Sequence, residues 1–316
     1  MAVVTNSYDS YEAVGNWTDI EDVIYTISPT ETPFLSTCKK GKALNRVHQW
    51  QKDALATAVG TNYAAEGTTY AADALTATTL LNNVCGISDK SPQVTGSQEA
   101  IKHYGRGSEM SYQVKKAMKE LKRDVETNLL QNVAKVTGDG TGTARKIAGF
   151  QTWIVTNQSI AGDATPATGD GSDIHTDGTA RALTEAMFES VLASQWTSGG
   201  NPTKGYINAF HKRKTETLSG NSTPYHDKDS KKVYNSVDVY IDPLGNEVRL
   251  IPNRFVPTDV VYFVDPEYVK FATLRDFRVL DIPRQGDYMG KLLLVEGTLA
   301  VGNEAAHGVV ADLSTS

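Results

Sequence analysis

Between Ser108 and Val136 the apolar residues fall at Met110, Val114, Ala117/Met118, Leu121, Val125, Leu129 and Val133. Steps of three and four put them on one side of a 3.6-residue helix. Lys115, Lys116, Lys119, Glu120, Lys122, Arg123, Asp124 and Glu126 cover the other sides. Ser108 can cap this helix and Gly138 can stop it, with no Pro or Gly between. The spacing predicts a rod about 43 Å long. Its stripe is short for a coiled coil and carries Ala117 and Asn128 near the seam. A strut lying along a sheet is the better reading.

The pattern downstream supplies such a sheet. Val260–Val264 is a continuous apolar run, as in a strand covered on both faces. Tyr268–Leu274 alternates, and Leu292–Val295 and Thr298–Val301 form a long β stretch around Gly297. The helix stripe is expected to pack on these C-terminal strands. Before them, Thr184 opens a predicted helix carrying Met187, Phe188, Val191, Leu192 and Trp196, stopped by Gly199-Gly200-Asn201-Pro202. A strand at Tyr206-Ile207 leads to a helix from about Asn208 to Leu218, with Phe210 and Leu218 inward and Lys212-Arg213-Lys214 outward. Val237, Val239 and Ile241, the turn Asp242–Asn246, and Val248 and Leu250 read as a β-hairpin.

Two stretches lack the apolar content for a core of their own. The first forty-odd residues scatter apolar side chains singly. A short helix through Ile20, Val23 and Ile24 is expected to end before Ser28-Pro29, and Pro29 and Pro33 favour an extended path. Trp17, Ile24, Tyr25, Phe34 and Leu35 need a surface, so this segment reads as a docking arm. From Asn45 to Gln98 the chain reads as a long two-stranded excursion, rich in Ala, Thr and Gly between Ala54 and Ala77. Such a ribbon is marginal alone. Trp50, Tyr63, Leu80 and Leu81 are expected to find burial on an adjacent subunit.

Composition narrows the function. The 316 residues carry a formal net charge of −6, which argues against a basic nucleic-acid-binding surface over the whole molecule and leaves room for a local patch. Cys38 and Cys85 are the only cysteines, so no disulfide framework holds the fold, and reduced thiols fit best. The N-terminus lacks the features of a secretory signal, and no apolar run approaches a membrane span.

A search for chemistry finds no convergent set. Thr137–Thr143 is Gly-rich but follows a helix and lacks the Gly-Lys-Ser/Thr ending of a phosphate loop. Asp173, His175 and Asp177 have a ligand-like spacing, yet in a Gly/Thr-rich loop they read as solvated polar sequence. His211 and His226 flank a polar loop, and Asp227-Lys-Asp229-Ser lacks the Gly and Glu of a calcium loop. Lys39 and Lys40 could activate Cys38, but a small buried hydrophobe is the better reading. The Lys212–Lys214 run reads as a solvated helix face. No catalytic, cofactor-binding or metal-ligating residue is therefore expected, and the chain is read as no enzyme.

Specific stretches resemble one family. They are Ile20-Glu-Asp-Val-Ile-Tyr-Thr-Ile-Ser-Pro-Thr-Glu-Thr-Pro-Phe-Leu35, Ala64-Ala-Glu-Gly67, Trp196-Thr-Ser-Gly-Gly-Asn-Pro202, Leu274-Arg-Asp-Phe277 and Glu296-Gly-Thr-Leu-Ala-Val-Gly-Asn-Glu-Ala-Ala-His-Gly308. With the order arm, ribbon, strut, compact α/β region and closing sheet, the chain resembles the major capsid proteins of tailed bacteriophages. The resemblance implies an α+β fold of the Hong Kong 97 type. It implies an N-terminal arm (1–44), an extended E-loop (45–100), a P-domain with the spine helix (101–157), an A-domain (158–258) and the closing sheet of the P-domain (259–316). It further implies hexamers and pentamers of an icosahedral head. That head would enclose double-stranded DNA without sequence-specific binding and without a membrane, helped by portal, scaffolding or decoration proteins. The subunit would be made in the host cytoplasm and end in the virion. A cellular nanocompartment shell is the alternative.

Overall fold

The computed structural model describes residues 31–69, 72–215 and 239–315. It opens on a one-turn helix, α1 (Pro33–Thr37), with Pro33 in its first turn, where the missing N–H costs nothing. This corrects the extended path expected at Pro33: the ring's fixed φ starts a helix and delivers Phe34 to the core, where it is fully buried. The short edge strand β1 (Lys39–Lys42) follows. A ribbon comes next, β2 (Val47–Lys52) antiparallel to β3 (Thr79–Val84), with Trp50 opposite Leu81.

The next segment departs from expectation. β4 (Gly86–Lys90) and β5 (Gln93–Thr95) do not belong to an excursion but pair with a C-terminal strand in the main sheet. A short helix, α2 (Gly96–Ala100), precedes the strut, α3 (Glu109–Leu130). Ser108 caps α3 as predicted, its side chain accepting the Ser111 N–H. The helix stops at Leu130, six residues short of the predicted Val136, because tertiary hydrogen bonds take over. Gln131 is extended, Gly149 donates to Val133 O, Lys135 to Gly171 O, and Val136 pairs with Lys146. Gly149 makes the close approach possible: a Cβ there would lie 1.7 Å from Gln131 O.

The rest of the chain builds the second layer and closes the first. Its elements are a 3-10 turn at Phe150–Trp153, β6 (Gln158–Ser159), α4 (Glu185–Thr197), β7 (Lys204–Ile207), α5 (Ala209–Thr215), β8 (Val239–Ile241) and β9 (Glu247–Pro252). They continue through β10 (Val261–Val264), the two 14-residue strands β11 (Val269–Ile282) and β12 (Tyr288–Val301), and β13 (Gly308–Val310). One sheet runs β1-β11-β12-β4, with β5 further along β12; the other runs β6-β13-β10-β7-β9-β8.

The strut lies on the first sheet. Ala117, Leu121, Val125, Leu129 and Leu130 share a core with Phe271, Leu293, Val295 and Leu299 of β11 and β12, and Leu121 is fully buried. The run Val261–Val264 is covered on both faces, as its composition predicted. Tyr262 and Val264 join the core of α3, while Val261 and Phe263 meet Phe188, Val191 and Leu192 of α4. The Tyr262 hydroxyl donates to Leu130 O at 2.9 Å, satisfying a carbonyl at the strut's C-terminus. Trp196, expected inward, is 57% exposed. The hairpin of β8 and β9 forms as expected. The predicted helix through Ile20–Ile24, with Trp17 and Tyr25, lies outside the described residues, as do Leu218, Val237, His226 and Asp227–Asp229.

Candidate assembly surfaces

The ribbon has two parts with opposite character. Its base is held by its own chain. Trp50 packs against Trp153 at a centroid distance of 5.3 Å, and Lys52 Nζ reaches Glu304 Oε1 at 3.2 Å. Glu304 also accepts the Val155 and Thr156 N–H groups and the Thr156 hydroxyl. Trp50 and Leu81 thus pack on their own subunit, a correction to the expectation that they need a neighbour. The tip is the reverse. No described residue between Asp53 and Ala77 lies in a strand, and Leu55, Tyr63 and Leu75 are 90% or more exposed. A hairpin with a packed base and a bare apolar tip gains stability only when something covers the tip, at about 25 cal/mol per Å².

A second fixed point lies where α1 meets α3. Glu126 is buried, and its two oxygens accept the Phe34 and Leu35 N–H groups at 2.8 and 2.7 Å and the Asn253 side-chain amide at 2.7 Å. Burial raises the pKa of this carboxyl, and the N–H donors oppose that rise. The Phe34 ring meets Phe150 and Tyr206 edge-on or tilted at 5.2 and 5.4 Å. Thr37 accepts from Lys204 Nζ at 3.0 Å. Helix α1 is therefore held to α3 and β7 by hydrogen bonds and ring packing.

The Asp-x-His-x-Asp spacing resolves differently from its reading as solvated polar sequence. His175 is buried, with Nε2 3.1 Å from Asp312 Oδ1 and 3.8 Å from Asp177 Oδ1. Asp173 turns away to accept the Thr168 N–H and hydroxyl. Asp312 arrives from the far end of the chain, so no spacing in sequence could reveal it. Its backbone is left-handed (φ 59°), and it also accepts the Ala161 and Gly178 N–H groups. Burial works against the Asp312 charge, yet the Ala161 N–H, the His175 ring and the Gly178 N–H together hold its carboxyl below the usual range. The arrangement clasps the loop at 173–178 to the C-terminal segment.

Other sequence candidates find structural explanations. In the Gly-rich loop Asp139 accepts the Thr141, Gly142 and Thr143 N–H groups, so its own carboxylate fills the position a phosphate would take. Those donors hold Asp139 well below the usual carboxylate range. Cys38 is buried, and burial pushes its thiol up, against activation by Lys39 and Lys40. His211 is buried with Nε2 2.7 Å from Thr258 O, and burial lowers its pKa. In the basic run Lys212 reaches Leu250 O, while Arg213 and Lys214 face outward. No helix among the described residues is long and apolar enough to cross a membrane.

Comparison with known proteins places these surfaces in context. The family model for the SU10 major capsid protein matches residues 3–314. The major capsid protein of Escherichia phage Phieco32 is 28% identical over 336 residues, covering 95% of each chain. Among solved structures, the capsid of cyanophage A-1(L) superposes with a TM-score of 0.68 at 13% identity, covering 98% of this chain and 99% of that one. An encapsulin of Synechococcus elongatus superposes less closely, with a TM-score of 0.58 at 10% identity over 95% and 93% of the chains. The fold is of the Hong Kong 97 capsid type, shared by phage shells. With the family model matching nearly end to end, the chain belongs to the SU10 major capsid protein family and is a shell subunit of a phage virion.

Proposed function

We propose that the subunit closes into the hexamers and pentamers of an icosahedral head around double-stranded DNA. In this reading residues 1–44 are the arm and 45–100 the E-loop together with its return strands β4 and β5 in the main sheet, and 53–78 reach over a neighbour. The P-domain comprises 101–157 and 259–316, and 158–258 form the A-domain. Portal, scaffolding or decoration proteins complete the particle, and the subunit carries out no catalytic turnover. The observation that carries the reading is the ribbon with its base packed on Trp153 and its apolar tip bare. Leu55, Tyr63 and Leu75 stand 90% or more exposed there, and a neighbouring subunit over the tip would take that apolar surface out of water.

The test is to replace Ala54–Ala77 with a short turn. Circular dichroism of the variant should report a folded subunit, and negative-stain microscopy should show shells lost or deformed. Normal shells from the variant, or an unfolded subunit, would overturn the reading.

A further inference from the structure

The outward face of α3 is a row of cations without ion-pair or hydrogen-bond partners among the described residues. Lys115, Lys119 and Lys122 follow one another at four and three residues, which sets them in line along the helix, and Lys116 lies beside them. All four are exposed, and none has an ion pair or side-chain hydrogen bond among the described residues. The acids of the same helix are mostly spoken for. Glu109 pairs with Arg106, Asp124 with Lys90 at 2.8 Å, and Glu126 is buried under α1, leaving Glu120 half-exposed beside the row. The row extends beyond the helix: Lys40 of β1 and Lys122 line the same groove, with Asp276 as the acid there. All this occurs on a chain of net charge −6.

Lysines kept together on an acidic protein repel one another, and a polyanion laid along the row would relieve that repulsion. From Lys115 to Lys122 the row spans about 10 Å. A DNA duplex carries one charge per about 1.7 Å of axis, so several phosphates fall within reach of four flexible stems. Lysine presents a point charge without the planar fork that reads bases, so such contacts carry no sequence preference.

We propose that this lysine face of α3 is the surface the subunit turns to double-stranded DNA, binding its phosphates without regard to sequence. The proposal rests on the reading of the chain as a head subunit around DNA and assigns the face that meets it.

The experiment uses the full-length, unassembled chain and a fluorescent 20-base-pair duplex of arbitrary sequence, followed by anisotropy. With four phosphate contacts, affinity should fall roughly 100-fold between 50 and 200 mM salt. Lys119→Gln with Lys122→Gln should make the slope of log affinity against log salt shallower by about 2. A charge-matched control, Lys102→Gln with Arg213→Gln, should leave it unchanged. Equal loss in both pairs would reduce the effect to net charge and overturn the assignment. No binding at 50 mM salt would overturn it too, as would tighter binding of polyglutamate than of DNA, which would give the face to an acidic protein. Microscopy of a variant with all four lysines replaced by Gln keeps this separate from the capsid reading. Closed shells from a variant that no longer binds DNA are the expected result, whereas a wild-type chain that forms no shells would count against the capsid reading itself.

Discussion

Glu126 holds Phe34: the carboxylate of the strut accepts the backbone N–H of a residue 92 positions earlier at 2.8 Å, in a site sealed from water. The same carboxylate takes the Leu35 N–H and the Asn253 amide, so one acid satisfies three donors from two distant parts of the chain. Removing it strands all three.

Glu126→Ala should therefore cost about 3 kcal/mol or more of subunit stability, read as a lower denaturant midpoint at unchanged m. The pH dependence has a definite sign. Burial raises the folded pKa above the unfolded one, so the folded chain binds the extra proton. This contribution is full below the unfolded carboxylate range and is lost as pH rises through the raised value. Subtracting the stability curve of Glu126→Gln from that of the wild type should expose the decline; a flat difference would refute the assignment.

Leu121→Ala removes a fully buried side chain from beneath the closing sheet. A loss of about 2–5 kcal/mol is expected, measured by urea unfolding of the unassembled chain. A change under 0.5 kcal/mol would mean that the strut does not rest on β11 and β12 in solution.

Asp312→Asn keeps a residue that tolerates the left-handed backbone but weakens the clasp on His175, Ala161 and Gly178. It should destabilise the chain by about 1–3 kcal/mol at neutral pH. The Asp312 carboxyl is held below its usual range, so the stability it supplies is present above the unfolded pKa and lost as pH falls through the folded one. Wild type and variant should converge in acid. A difference that persists unchanged down to pH 2 would show that charge is not what holds the clasp.

Trp50→Ala and the triple change Leu55→Ser, Tyr63→Ser, Leu75→Ser separate the two parts of the ribbon. The first should lower the stability of the isolated subunit by about 2 kcal/mol, because Trp50 packs on Trp153. The second should leave that stability within about 0.5 kcal/mol and impair shell assembly in electron micrographs. The reverse pattern would assign the tip to the core and the base to the interface.

Periodic elements were legible in the sequence because their apolar faces repeat within a turn or two. The α3 stripe, the doubly covered β10 and the β8–β9 hairpin all follow from spacing alone. What spacing could not reveal is where distant segments meet. The end of α3 is set by Gly149 closing on Gln131 and by a strand-like bridge to Lys146. The fate of His175 depends on Asp312, 137 residues away. β4 and β5 carry few large apolar residues and looked like excursion, yet they sit in the main sheet because β12 supplies their partners. Trp50 looked homeless among polar neighbours because Trp153 lies on another element. The exposed tip was legible for the complementary reason: the Ala, Thr and Gly content of 54–77 excludes any core.

The first sheet also fixes a timetable. Its two central strands, β11 and β12, come from residues 269–301, and they separate β1 from β4, which were made more than 170 residues earlier. A chain emerging from the ribosome therefore carries its strut without the sheet that covers it until about nine-tenths of it has been synthesised. Until then β1 and β4 have no strands between them, so the sheet that carries the strut is completed only as translation finishes.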